Sequence, residues 1–292
     1  MKIAITGANG FIGTRLVSLL SKEYQIVPIG YEEGIDIVDK HAVENAIGQT
    51  DAETILHLAA YTNVDEAEKQ KSLGKKSPAW QINVLGAMHV AQSAKQYNKK
   101  LIHVSTDMVF GGIEQEWYHE SDTPSPVNFY GLTKYEGELK VQEADPEATI
   151  LRIAYPYMWL SEKRDFARLF LQFFKEKKTF SSVSDCFYAP TYVDDIAIVL
   201  QAILEKKLPG IIHGASGEKW SGYEIALKIA DTFKFDKSLV SPTTRDTFFK
   251  DRAPRSKNTA LYNDTLMSLG IKLHTLEEAL TEIPDESLTT SS

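Results

Sequence analysis

Cysteine is almost absent: Cys186 stands alone among 292 residues. One thiol cannot close an intramolecular disulfide or build a multi-cysteine metal site, and no metal is expected. Its plainest role is that of a small buried hydrophobe, which suits a reducing, cytoplasmic setting. Also lacking is any uninterrupted apolar run approaching the roughly 20 residues that a membrane-spanning helix needs, so no membrane partner is expected. No apolar segment stands ahead of Lys2-Ile3-Ala4-Ile5, and a secretory leader is therefore not expected. Basic residues are in deficit, 32 against 40 acidic ones, for a formal net charge of −8. That balance argues against nucleic acid, whose phosphate backbone demands a basic face. A small anionic ligand stays compatible, because a few local amides and arginines bind it whatever the global sign. Internal repeats are missing, and low complexity is confined to residues 284–292, a tail expected to fray.

What is present is ordinary globular material, 43% apolar and 25% charged, enough for a substantial core. Lys2–Thr6 and Gln25–Ile29 read as strands, as do residues 53–59, 101–104 and Thr149–Ile153. Helical spacing runs through Ile12, Leu16 and Leu20, through residues 79–97, and through residues 130–141 and 194–204. Strands alternating with helices predict an α/β fold, a doubly wound parallel sheet of the Rossmann type. Beyond about Tyr155 the rhythm becomes irregular and aromatic. Residues 1–155 and 190–237 are therefore assigned to the sheet domain, and 156–189 and 238–292 to a smaller, interleaved C-terminal lobe that binds substrate.

Between the first strand and first helix stands Thr6-Gly7-Ala8-Asn9-Gly10-Phe11-Ile12-Gly13. Gly7 permits a tight turn, Gly10 lets backbone approach a pyrophosphate, and Gly13 lets helix and strand pack closely. The amides of the turn and helix start, through Asn9, Phe11 and Ile12, then face phosphate. The expected ligand is NAD(P)H, with this domain its binding domain. The adenosine ribose is read near the end of the second strand, at Gly30-Tyr31-Glu32-Glu33. No arginine or lysine occurs from residue 25 to 39 to meet a 2′-phosphate, which leans towards NAD; two solvated loop carboxylates are the plainer reading. Asp36 and Ile37 are candidates for the adenine edge.

A second signal is Tyr130-Gly131-Leu132-Thr133-Lys134. Residues i and i+4 share a helix face, so the phenol and ammonium point the same way. The ammonium is expected to draw the phenol down from its usual value of about 10 towards the range of a working acid. Upstream, His103-Val104-Ser105-Thr106-Asp107 sets hydroxyls at a strand's C-terminal end, where parallel sheets bind ligands. Thr106 is the candidate to bond a substrate carbonyl. Asn83 is read either as a relay from Lys134 to water or as a buried asparagine satisfied by backbone.

Together, Gly7-x-x-Gly10-x-x-Gly13, Ser105-Thr106-Asp107 and Tyr130-x-x-x-Lys134 resemble the extended short-chain dehydrogenase/reductases. The run Ala59-Ala60-Tyr61-Thr62-Asn63-Val64-Asp65-Glu66-Ala67-Glu68 is similar to one in the dTDP-4-dehydrorhamnose reductase family. The resemblance implies an oxidoreductase acting on a nucleotide-linked 4-keto-6-deoxy sugar, with hydride passing to C4 and Tyr130 delivering the proton. It implies that Ala59, Ala60 and Thr62 lie along the cofactor with Asn83, and that Val64 and Asp107 lie near the sugar. Related dehydratases carry an Asp-Glu pair after the threonine; here it is Asp107-Met108, and methionine exchanges no proton. Tyr155-Pro156-Tyr157 departs from the reductases' usual Ser-Trp, so Tyr155 is the candidate to pack on an altered sugar. Arg252 and Arg255, with Lys257, resemble a basic stretch that meets a diphosphate; a solvated basic loop is the alternative. The same resemblance admits a non-catalytic dinucleotide- or sugar-nucleotide-binding regulatory protein, or an epimerase. A homodimer is compatible with it.

Overall fold

The computed structural model describes residues 1–112, 115–159 and 165–283; the tail expected to fray lies outside them. The first half follows the predicted alternation. It runs β1 (Lys2–Thr6), α1 (Phe11–Leu20), β2 (Gln25–Ile29), α2 (Lys40–Gln49), β3 (Thr54–His57), α3 (Val64–Lys69), α4 (Pro78–Trp80), α5 (Ala87–Gln96), β4 (Lys100–Thr106), α6 (Phe129–Ala144) and β5 (Thr149–Ile153). There follow α7 (Phe166–Lys175), β6 (Phe180–Val183), β7 (Phe187–Tyr188), α8 (Val193–Lys206), β8 (Gly210–His213), β9 (Trp220–Ser221), α9 (Gly222–Phe233) and β10 (Val240–Thr243). Short helices α10 (Arg245–Phe248), α11 (Asp264–Ser268) and α12 (Leu276–Thr281) close the described chain.

The strands pair in parallel in the order β2-β1-β3-β4-β5-β8. Strand side chains alternate in direction, and the sequence fills both faces with apolar residues. Ile3, Ile5, Leu56, Ile102 and Leu151 join Leu16 of α1 and Leu200 of α8 on one face. Their neighbours Ala4, Ile55, Leu101 and Ile150 join Val43 of α2, Val90 of α5 and Val141 of α6 on the other. The order reverses at β1, between β2 and β3, which opens a crevice at the strands' C-terminal ends.

A second apolar core gathers Tyr157, Trp159, Phe174 of α7, Ile225 and Ile229 of α9, Val240 and Leu280 of α12. The small pairs β6–β10 (parallel) and β7–β9 (antiparallel) border it. The expected assignment of residues 190–237 to the sheet therefore divides. Segments α8 and β8 join the sheet, whereas α9 turns its apolar face into the small core. Conversely, Leu266 and Leu273 return from the expected lobe to the large core. The helix expected over 79–97 is interrupted by a π-helical turn, Gln81–Gly86, where the chain carries Asn83 inward.

One buried ion pair ties α6 to the sheet. The Arg152 guanidinium of β5 donates from Nε (2.9 Å) and from its terminal nitrogen (2.7 Å) to the two oxygens of Glu138. Arg152 also lies over the Phe110 ring, 5.1 Å from its centroid. Removing one member of such a pair strands the other charge in a medium that cannot solvate it. Arg152→Ala should thus lower unfolding free energy by about 3–5 kcal/mol in urea denaturation, while the double change Arg152→Met with Glu138→Leu recovers much of the loss. A single variant that loses less than about 1 kcal/mol would contradict this account.

Candidate active site

The glycine turn is shaped by contacts that exclude side chains. Gly7 has φ +70°, and a β-carbon on it would stand 2.8 Å from the Ala59 amide nitrogen. A β-carbon on Gly13 would stand 2.2 Å from the Gly7 carbonyl oxygen. Helix α1 thus starts hard against β1, with Gly10 as its cap residue and no side chain capping it. Its first-turn N–H groups have no intrahelical acceptors and carry the positive end of the helix dipole. A cleft runs from this turn, along Phe11, Ile12 and Gly13, past Gly30, Tyr31, Asp36 and Ile37, to Ala59, Ala60 and Thr62. Asn9 occupies the turn itself. The Asp36 carboxylate accepts from the Tyr31 hydroxyl (3.0 Å) and the Val38 amide (2.9 Å), holding that wall in place. A backbone cradle with uncapped amides and an apolar trough fits a dinucleotide pyrophosphate and its flanking rings.

Phe11, Ile12, Ala60, Thr62 and Pro156 line this cleft and also a second one that continues it. The second holds Val64, Thr106, Asp107, Tyr130, Lys134 and Tyr155. Helix α6 presents Tyr130 and Lys134 there because its first turn is anchored twice. Asn128 accepts from the Gly131 amide (2.8 Å) and donates to the Pro254 carbonyl (3.0 Å), and Glu68 accepts from the Phe129 amide (2.8 Å).

Lys134 is buried and donates to the Val104 carbonyl (2.8 Å); loss of hydration pushes its ammonium down to about 8. The Tyr130 phenol is pushed above the ordinary tyrosine range, by burial first and by Asp107 in addition, with the Thr106 hydroxyl opposing. The expectation that Lys134 draws this phenol down is corrected: with the ammonium bonded to Val104, desolvation of the phenolate dominates. The phenol is therefore a protonated acid at neutral pH. Thr106 donates to Asp107 (3.1 Å) and accepts from the Met108 amide (3.2 Å). Asp107 also accepts from Thr259 (2.5 Å), and burial raises it to about 6.

Other sequence candidates stand elsewhere. Asn83 accepts from the Tyr61 amide (2.8 Å) and donates to the Tyr61 carbonyl (3.1 Å) and Thr133 (2.9 Å). It clamps the loop after β3, which corrects the relay role in favour of the backbone-satisfied reading. Arg252 and Arg255 face a separate depression beside Phe249 and Lys250. Arg255 is committed to Asp65 (2.9 Å) and to the Ala253 carbonyl (2.8 Å). Tyr155, at φ +41°, stacks on Tyr188 with centroids 3.7 Å apart and lines the cleft that holds Tyr130 and Lys134.

A sequence profile of the RmlD substrate binding domain matches residues 1–289. A dTDP-4-dehydrorhamnose reductase from Aggregatibacter actinomycetemcomitans is 33% identical over 246 residues, 82% of this chain and 81% of that protein. Methionine adenosyltransferase 2 subunit beta from Rattus norvegicus is 31% identical, over 92% of this chain and 83% of that one. The crystal structure of the Bacillus anthracis dTDP-4-dehydrorhamnose reductase in complex with NADP superposes with a TM-score of 0.87. It is 32% identical, and the match covers 97% of this chain and 99% of that one. The chain belongs to the RmlD substrate binding domain family.

Within this family frame, Thr259 and Glu68 are the residues that sequence reading did not assign. Thr259 carries no local signal, since only the fold brings it to Asp107. Glu68 was visible in the Val-Asp-x-Ala-Glu run, but its partner is 61 positions away. Two outcomes check the site. Gly13→Ala should cost about 2 kcal/mol or more, because backbone rather than a flexible side chain must yield, and dinucleotide binding should fall with it; an unchanged melting temperature would contradict the close approach. Asp107 holds its proton up to about 6 in the folded state against an ordinary 3.8. Between those values the native protein binds more protons than the unfolded chain, so falling pH stabilises it. Relative to Asp107→Asn, the wild type should gain up to about 3 kcal/mol as pH drops from about 7 to about 4. Parallel pH profiles of the two would refute the burial argument.

Proposed function

We propose that this chain is an NAD(P)H-dependent reductase of a nucleotide-linked 4-keto-6-deoxy sugar. The observation that carries the reading is the single cleft running from the glycine cradle to Thr106, Tyr130 and Lys134. One end of it fits a dinucleotide, and the other holds a protonated acid beside a cation. The relatives named as dTDP-4-dehydrorhamnose reductases, and the NADP in the Bacillus anthracis structure, support the same chemistry.

A dinucleotide held at Gly7, Gly10 and Gly13 would supply a hydride for C4. As the carbonyl carbon gains that electron pair, its oxygen takes the proton from Tyr130, and the C=O π bond is spent. The departing proton leaves a phenolate in the cleft that also holds the Lys134 ammonium, which is charged below about pH 8. Thr106, whose single hydroxyl proton is given to Asp107 in the free cleft, turns that proton to the carbonyl oxygen when substrate is bound and so orients it. Thr62 and Val64 border the same cleft, where they shape the path between cofactor and sugar. Met108 in place of a second acid favours reduction over dehydration. The reading includes a cytoplasmic setting, supported by the single buried thiol, and assembly as a homodimer, which sedimentation measures. Among the described residues no helix is long and apolar enough to cross a membrane.

The similarity to methionine adenosyltransferase 2 subunit beta motivates one rival reading, a non-catalytic subunit of another enzyme. It predicts a stoichiometric partner on purification and no oxidation of reduced dinucleotide with any nucleotide 4-keto-6-deoxyhexose. The reductase predicts stoichiometric oxidation. Tyr130→Phe should lower turnover by roughly 10²–10⁴-fold while dinucleotide affinity persists; retained turnover would remove Tyr130 from the acid role.

A further inference from the structure

We infer that the cleft selects the dinucleotide whose adenosine ribose keeps a free 2′-hydroxyl, NADH over NADPH, with Glu33 as the deciding residue. The inference rests on the reductase reading above and concerns the adenosine end of the same cleft. Strand β2 ends at Ile29, and the end of this strand is where Rossmann folds read that ribose. The chain then reverses tightly: the Gly34 amide donates to the Tyr31 carbonyl (3.0 Å) and the Ile35 amide to the Gly30 carbonyl (2.8 Å). Gly34, at φ +76°, completes the reversal.

The reversal folds Glu33 back over the strand end. One of its carboxylate oxygens lies 3.5 Å from where a β-carbon on Gly30 would stand, and Gly30 lines the cleft. Asp36 has both oxygens engaged, by Tyr31 and Val38, and so serves the wall. Glu33 takes no hydrogen bond or ion pair from the described residues and is free to accept from a ribose hydroxyl. A hydroxyl donating to a carboxylate makes a charge-assisted bond.

Cations are missing where a 2′-phosphate would need one. Among the described residues no lysine or arginine lines this end of the cleft, and none occurs from residue 25 to 39. The arginine of α1, Arg15, donates to both oxygens of Asp194 on α8. Lys40 stands exposed at the start of α2, past its Asp39 cap. A phosphate would meet Glu33 and Asp36 with no counter-charge. Each like-charged neighbour within about 4 Å weakens binding on the order of fivefold even at the dielectric of water. The choice departs from the NADP seen in the Bacillus anthracis relative.

Titration of the purified full chain with NADH and with NADPH, followed by calorimetry or nucleotide fluorescence, tests this directly. NADH should bind about tenfold tighter or more, with the gap narrowing as salt rises. Glu33→Gln should weaken NADH a few-fold and narrow the gap, and Glu33→Lys should reverse the preference. NADPH binding as tightly as NADH to the wild type, or a ratio untouched by Glu33→Lys, overturns the inference and leaves the reductase reading standing. Failure to bind either dinucleotide overturns both.

Discussion

The Gly7 carbonyl stands so close to Gly13 that no β-carbon fits between them, and the rest of the site depends on that approach. It seats α1 directly against β1, which points the helix start and its uncapped amides into the crevice opened by the strand reversal. The floor of the cleft, its open backbone and its alignment with β4 all descend from this contact. A side chain at Gly13 would lift the helix from the strand, and one at Gly7 would meet the backbone of Ala59.

A band of buried polar residues crosses the sheet towards the C-terminal ends of its strands. Strand register sets Thr6 beside His57 and His57 beside His103, and sets Ser105 beside Arg152 and Arg152 beside His213. All are buried. Burial keeps the imidazoles neutral: His57 and His213 are each pushed down to about 3, and His103 falls well below its ordinary range. Formal charge in the band is confined to groups with partners, Arg152 on Glu138 and Lys134 on the Val104 carbonyl. This end of the cleft thus borders a low-dielectric region, where the Lys134 ammonium and the protonated Tyr130 phenol act strongly.

The two cores meet through α6 and the segment that follows α10. Asn128 bonds Pro254, Arg255 bonds Asp65, and Thr259 bonds Asp107. These contacts join the lobe to the helix carrying Tyr130, to α3 and to the threonine loop after β4. The lobe therefore takes part in fixing Tyr130 and Thr106 as well as in bordering the cleft that holds them, where Tyr155 stacks on Tyr188.

Local chemistry alone determined much of this protein. Strands β1, β2 and β5 match their expected limits, because alternating side-chain directions and β-branched runs are properties of a few adjacent residues. The glycine spacing and the i, i+4 placement of Tyr130 and Lys134 were legible for the same reason. The tertiary structure decided what depends on distant partners. It assigned α9 to the small core, whose apolar face matches Phe174 and Leu280, residues that no local pattern connects. It turned Asn83 onto Tyr61, brought Thr259 to Asp107, and gave Arg255 to Asp65. It also reversed the expected direction of the Tyr130 shift. Periodicity reports which side chains point together, whereas ionisation depends on how much water the surrounding fold removes, and only the assembled cleft defines that.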